Sequence, residues 1–166
     1  MKINVLPDLR ILAICASLFA FTTACDEDED PPGVNKSLEF TNIELSAANQ
    51  VPAFSDEELE FSGFGTFNGT YNDATNILTY TIVWNLVRFN DAATGMHFHG
   101  PADPTENAAI VMPIEGFDNT TIGTFSDATD PLTAQQEADL KAGLWYINIH
   151  STTYPDGVLR GNLIVE

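Results

Sequence analysis

From residue 37 onward, apolar and polar residues alternate with period two in short runs separated by Gly, Asn, Asp and Pro, the pattern of half-buried strands divided by turns. In residues 76–87, Leu78, Tyr80, Ile82, Trp84 and Leu86 alternate with Thr79, Thr81, Val83 and Asn85, giving one strongly apolar face and one mixed face. Residues 144–150 place Trp145, Ile147 and Ile149 together, and residues 158–165 do the same for Leu159, Leu163 and Val165. Tyr154-Pro155-Asp156-Gly157 supplies the turn between them. Further strands are predicted over 38–45, 61–71, 96–99, 109–114 and 120–125, about eight in all. One short helix is predicted over 134–142, opened by a capping box of Thr133 and Gln136 and closed by Gly143. Regular turns at this spacing predict an all-β fold, an antiparallel sandwich or barrel.

Composition narrows what such a fold can do. The chain has 166 residues, 44% of them hydrophobic, enough to fill one core, so a single domain is predicted over 37–166. Lys and Arg number 6 against 24 Asp and Glu, a formal net charge of -18, which repels phosphate backbones and excludes nucleic acid as a partner. The same acid can recruit cations or basic partners, or serve only as a solvated surface. The loops 72–76 and 127–130 carry oxygen ligands suited to Ca²⁺ but lack EF-hand spacing, and turn chemistry accounts for them. No P-loop, G-x-S-x-G elbow or H-E-x-x-H signature occurs, so hydrolase activity has no positive support in the sequence.

The N-terminus reads as an address. Lys2 and Arg10 precede an apolar run at 11–21, too short for a membrane span of about 20 residues and suited to a signal-peptide core, so 1–24 is predicted to be removed. The run ends in Thr22-Thr23-Ala24-Cys25, which resembles a bacterial lipobox, with Cys25 as the lipidation site; ordinary cleavage after Ala24 is the alternative. With Cys15 removed and Cys25 acylated, no cysteine remains for a disulfide or thiolate metal site. Residues 25–36 then form an acidic tether, Asp26-Glu27-Asp28-Glu29-Asp30 followed by Pro31-Pro32-Gly33. Acid just after a lipidated Cys also resembles the surface-export tag of some lipoproteins, beside the plain spacer reading. These features predict a cell-envelope protein anchored in the outer membrane, touching the membrane through its lipid alone and open to surface display.

Three segments carry a family resemblance. Leu45-Ser46-Ala47-Ala48-Asn49-Gln50-Val51-Pro52, Met96-His97-Phe98-His99-Gly100-Pro101-Ala102, and the stretch from Gly143-Leu144-Trp145-Tyr146-Ile147-Asn148-Ile149-His150 through Tyr154-Pro155-Asp156-Gly157-Val158-Leu159-Arg160-Gly161 resemble, in order and spacing, the CHRD domain, the extracellular module named after chordin. Val158 stands where that family usually has Glu, Ser151 replaces Thr and Gln50 replaces Glu. The resemblance implies an immunoglobulin-like β-sandwich or barrel and, by analogy with extracellular modules, adhesion or binding of a protein partner. It implies no agreed chemistry.

All three histidines, His97, His99 and His150, fall inside these motifs. Residues two apart on a strand share a face, so His97 and His99 can turn to one ion, and His150 can complete three nitrogens if its strand lies alongside. Neutral imidazole suits Zn or Cu(II), the candidate cofactors, and a Cu site brings redox chemistry within reach. A His-x-His strand followed by Gly also resembles copper-zinc superoxide dismutase, another β-sandwich. The competing reading places the three imidazoles at strand ends, bonded to turn carbonyls. Arg160 and Gly161 form a structural step in which Arg160 is expected to pin Asp156 or another acid. Asn148 is expected to bridge strands or brace a histidine.

Overall fold

The computed structural model describes residues 37–60, 62–87 and 90–165. The expected signal segment 1–24, the Cys25 anchor, the tether 25–36 and Arg88 lie outside them.

Eight strands form: β1 (Ser37–Ser46), β2 (Phe64–Asn72), β3 (Ile77–Asn85), β4 (Ala93–His99), β5 (Ile110–Ile114), β6 (Ile122–Ala128), β7 (Tyr146–Ser151) and β8 (Leu159–Asn162). They make one sheet in the order β5-β4-β7-β8-β1-β2-β3-β6, and every neighbouring pair is antiparallel. The halves join where Ser46 of β1 stands opposite Arg160 of β8. There the sheet curls, so that β4 faces β2 and β3: the Phe98 ring meets Phe67 at 6.0 Å and Tyr80 at 5.2 Å, both edge-on. The all-β sandwich expected from the alternation is therefore built from a single curled sheet.

Period-two patterning explains the core. Leu78, Tyr80, Ile82 and Trp84 of β3 are buried, as are Phe67 and Tyr71 of β2 and Met96 and Phe98 of β4. β1 keeps its apolar residues inward across a bulge between Phe40 and Ile43, where Asn42 takes a positive φ of 53° and donates its N–H to Asn68 Oδ1 at 2.8 Å. Helix α2 (Ala134–Lys141) carries the expected capping box, Thr133 accepting from the Gln136 N–H while the Gln136 side chain accepts from the Thr133 N–H. Lys141 ties it to the β2–β3 turn through Asp73 at 2.8 Å and also pairs with Glu137 at 2.6 Å.

Strand ends shift from the sequence reading by one to three residues, β4 starting at Ala93 rather than 96 and β6 running from Ile122 to Ala128 rather than over 120–125. β2 begins at Phe64 rather than 61, after Gly63 takes a φ of 95° that breaks the ladder. β8 stops at Asn162, and Val165, expected beside Leu159 and Leu163, is 42% exposed; the Ile164 N–H turns back to the Asn162 carbonyl at 3.0 Å and leaves the sheet. A five-residue helix, α1 (Asp56–Glu60), and a 3-10 turn at Ala47–Asn49 join the single helix predicted. Among the described residues no helix is long and apolar enough to cross a membrane.

Candidate metal centre

The antiparallel register sets the motif residues in rows on the outer face of β4, β7 and β8. His97 stands opposite Asn148, which stands opposite Arg160. One step along, His99 faces Tyr146; one step the other way, Gly95 faces His150. Because β4 and β7 are neighbours, His150 lies diagonally across from His97. Strand order, which decides whether three imidazoles can meet, thus brings them together: one ring nitrogen from each lies within 4.8 Å of the others.

Hydrogen bonds fix which nitrogens point inward. His150 Nδ1 is 2.8 Å from the Pro155 carbonyl, and a carbonyl only accepts, so Nδ1 carries the proton and Nε2 keeps its lone pair. His99 Nδ1 likewise donates to the Ala108 carbonyl at 3.1 Å, leaving Nε2 free; that Nε2 is buried with no partner, on a residue 9% exposed. His97 Nδ1 sits 3.1 Å from His150 Nε2 and donates to it when both rings are neutral. Loop carbonyls hold the Nδ1 atoms of His99 and His150, the kind of outer bond that orients histidine ligands in metal sites. Tetrahedral Zn²⁺ with Zn–N near 2.0–2.1 Å separates its nitrogens by about 3.4 Å. The His97 Nδ1–His150 Nε2 spacing of 3.1 Å is close to that value, and the ligand atoms of all three residues lie within 4.8 Å of one another.

Burial lowers the pKa of His97, and the neighbouring His150 and His99 rings push the same way. For His99 burial again lowers it, the Ala108 bond opposes in part, and His150 and Arg160 reinforce the depression. Both rings are therefore neutral at neutral pH, the state in which imidazole binds metal.

Beside the histidines lies a stacked polar layer. Tyr146 lies flat against His99, ring centroids 4.8 Å apart at 5°, and the Arg160 guanidinium sits 3.6 Å from the Tyr146 centroid. Arg160 is fully buried and, among the described residues, pairs with neither Asp156 nor another acid. It donates instead to Asn162 Oδ1 at 3.2 Å, Asn107 Oδ1 at 3.1 Å and the Glu106 carbonyl at 2.9 Å. Loop 106–108 places these neutral acceptors over the strand, and the cation–π stack supplies the rest of its compensation. Asn148 bridges rather than braces: its Oδ1 accepts from Gln50 Nε2 at 2.9 Å, tying the first motif to the third. Gly157, at φ 122°, lies flat against that amide where any Cβ would collide with it. Gly161 lacks a side chain because Leu45 of β1 occupies the space.

One polar residue gave no sequence signal. Asp91 is 2% exposed, and its carboxylate accepts from the hydroxyls of Ser151 at 3.0 Å and Thr152 at 2.6 Å and from the N–H groups of Ala92 at 3.1 Å and Thr153 at 3.0 Å. Apart from the adjacent Ala92 N–H, its partners lie some sixty positions away in sequence, so no local spacing announces them.

No curated protein and no solved structure matches the chain. The family model described as the CHRD domain matches residues 41–163, covering all three motifs, the histidine cluster and Arg160. The chain belongs to the CHRD-domain family.

Proposed function

We propose that this CHRD domain binds one divalent transition-metal ion, Zn²⁺ or Cu²⁺, through His97 Nδ1, His99 Nε2 and His150 Nε2, in a cell-envelope lipoprotein held by lipid on Cys25. The observation that carries this reading is the convergence of one ring nitrogen from each of the three histidines within 4.8 Å, beside a buried His99 Nε2 that has no partner. A buried acceptor without a partner costs roughly 1–3 kcal/mol, and an ion supplies what it lacks. Calorimetric titration of the metal-free protein with Zn²⁺ and Cu²⁺ tests it. One ion per chain is expected, lost in His150→Ala with the β-sheet circular dichroism retained; no binding, or binding unchanged in the variant, overturns the metal reading. The lipid anchor has a separate test, since Cys25→Ser should move the protein from the membrane fraction to the soluble one.

Adhesion or protein binding is the second reading. It is favoured by Phe64 of β2 and Ile122 of β6, 59% and 65% exposed, which flank Asn85 in one cross-strand row. Cells carrying Phe64→Ser with Ile122→Ser should adhere less than wild type; equal adhesion removes this reading.

A further inference from the structure

The two edge strands of the sheet differ in how they meet solvent. β5 carries Pro113, which has no N–H to offer, and its register against β4 shifts between Phe98 and His99, two features that deter a further strand. β6 has neither. It pairs with β3 in unbroken register, and its one charged residue is Asp127, in a chain of net charge -18.

The outward backbone groups of β6 follow from its pairing. At one end the Leu86 N–H donates to the Thr121 carbonyl at 2.8 Å, and at the other the Thr129 N–H donates to the Leu78 carbonyl at 2.9 Å. Backbone groups alternate along a strand, so Gly123, Phe125 and Asp127 also turn theirs to β3, while Ile122, Thr124, Ser126 and Ala128 turn theirs away. Two of the outward groups are satisfied locally: the Ile122 carbonyl accepts from Thr120 Oγ1 at 2.9 Å, and the Ala128 N–H donates to Asp127 Oδ1 at 2.8 Å. Among the described residues, the backbone N–H and C=O groups of Thr124 and Ser126 have no partner. An extended backbone matches the spacing of such a row.

We propose that β6 docks a second copy of this chain, the two β6 strands pairing antiparallel about a two-fold axis at Thr124. Thr124 then faces its own copy, and Ile122 faces Ser126 of the partner subunit, the three opposed pairs exchanging about six hydrogen bonds. Ile122, 65% exposed, gains a cross-strand neighbour on its open side. Charge selects this register. It sets the two Asp127 carboxylates at opposite ends of the ladder, about 20 Å apart. Moving the axis to Ser126 would make them diagonal neighbours about 7–8 Å apart, where like charges repel. Moving it to Ile122 would set Thr124 against Thr120 of the partner subunit, and the Thr120 N–H already donates to the Asp118 carbonyl at 2.8 Å. The histidines sit on β4 and β7, toward the other end of the strand order, so the pairing does not rest on the metal reading.

Sedimentation of the purified full-length protein over a series of concentrations tests the proposal. A seven-residue edge buries less than a standard interface, so a dimer that forms and disperses with concentration is expected. Thr124→Pro removes an outward N–H and leaves the bonds to β3 in place, and it should weaken the dimer by about tenfold or more. Thr124→Lys should weaken it as well, by setting two like charges directly opposite, although it lowers the net negative charge of each chain. In a Cys25→Ser background, Thr124→Cys should give a disulfide-linked dimer on mild oxidation, since opposed Cα atoms about 5.5 Å apart are within reach. Val83→Cys, one strand further in, should not. A monomer at every concentration, a dimer that Thr124→Lys leaves unchanged, or a cross-link formed as readily from Val83→Cys overturns the proposal.

Discussion

The sheet has two outer faces made from the same period-two alternation, and they differ in what the polar positions do. On β2, β3 and β6 the outward polar residues include Thr66, Thr70, Thr79, Thr81, Thr124 and Ser126, partly or fully exposed, with hydroxyl bonds such as Thr81 to Ser126 at 2.8 Å that water can replace. On β4, β7 and β8 the outward residues are His99, Tyr146, Asn148 and Arg160, all buried, with His97 and His150 half-buried beside them. A polar group in water is satisfied wherever it points, whereas a buried one must find a specific partner. The second face therefore had to be built, with the loop 106–108 and the motif around Gln50 laid over it. Where that building is complete, as at Arg160, the result is structural. At His99 one atom, Nε2, is left without a partner, and the proposed ion would supply it.

Removing the centre of the built face should have the largest effect. Arg160→Met leaves Asn107 Oδ1, the Glu106 carbonyl and Asn162 Oδ1 without their donor and deprives Tyr146 of its stacked cation. A loss of about 3–5 kcal/mol is expected in urea unfolding. A loss below about 1 kcal/mol would mean that the layer is decoration.

Asp91 sharpens the same contrast through pH. Burial alone would raise its pKa, but hydrogen bonds from Thr152, Thr153 and Ser151 outweigh it and hold the carboxyl below its ordinary value. A depressed acid contributes stability that is complete above about pH 4 and is lost as the pH falls through the lowered value. Asp91→Ala should cost about 3 kcal/mol at pH 7 and much less at pH 2, where the wild-type carboxyl is itself protonated. An equal cost at both pH values would show that charge plays no part.

How much of this was legible in the sequence follows from the range of each interaction. The strands could be read because alternation is local, and the capping box of α2 because its two partners are three residues apart. The end of β8 could not, since Val165 fits the period and only the turn at Asn162 removes it from the ladder. The histidines could be singled out, with the joint dependence on strand order left open until β4 and β7 proved adjacent. Arg160 was recognised as buried or paired, but an acid was expected because a guanidinium beside a hairpin Asp is the local guess. One acceptor, Asn162, is two residues on, and the other two come from a loop more than fifty residues away. Asp91 failed for the same reason: both hydroxyls that its carboxylate binds lie beyond the next three strands.

The metal ion should produce the next effect in size. With Zn²⁺ at about 100 times its Kd, unfolding free energy should rise by about 2.7 kcal/mol. His150→Ala should abolish that gain while costing the metal-free protein only about 1 kcal/mol, the net value of its bond to Pro155 and the contact with His97. Thermal unfolding with and without Zn²⁺ checks both numbers at once. A gain that persists in the variant would place the ion elsewhere.

The smallest effect belongs to the solvated face, and it is the one that can break the comparison. Thr81 and Ser126 are bonded across β3 and β6 on the exposed side, as Gln50 and Asn148 are bonded on the buried side, at 2.8 and 2.9 Å respectively. The distances are nearly equal; the surroundings are not. In Thr81→Ala the Ser126 hydroxyl turns to water, so the change should lie within about 0.5 kcal/mol. In Gln50→Ala the Asn148 oxygen, beneath Gly157 and 7% exposed as a residue, loses its donor in a place poorly supplied with water, and about 1–3 kcal/mol should be lost. If the two variants cost the same in parallel denaturant titrations, burial is not what separates the faces, and the unpartnered nitrogen of His99 would lose its standing as the mark of a site.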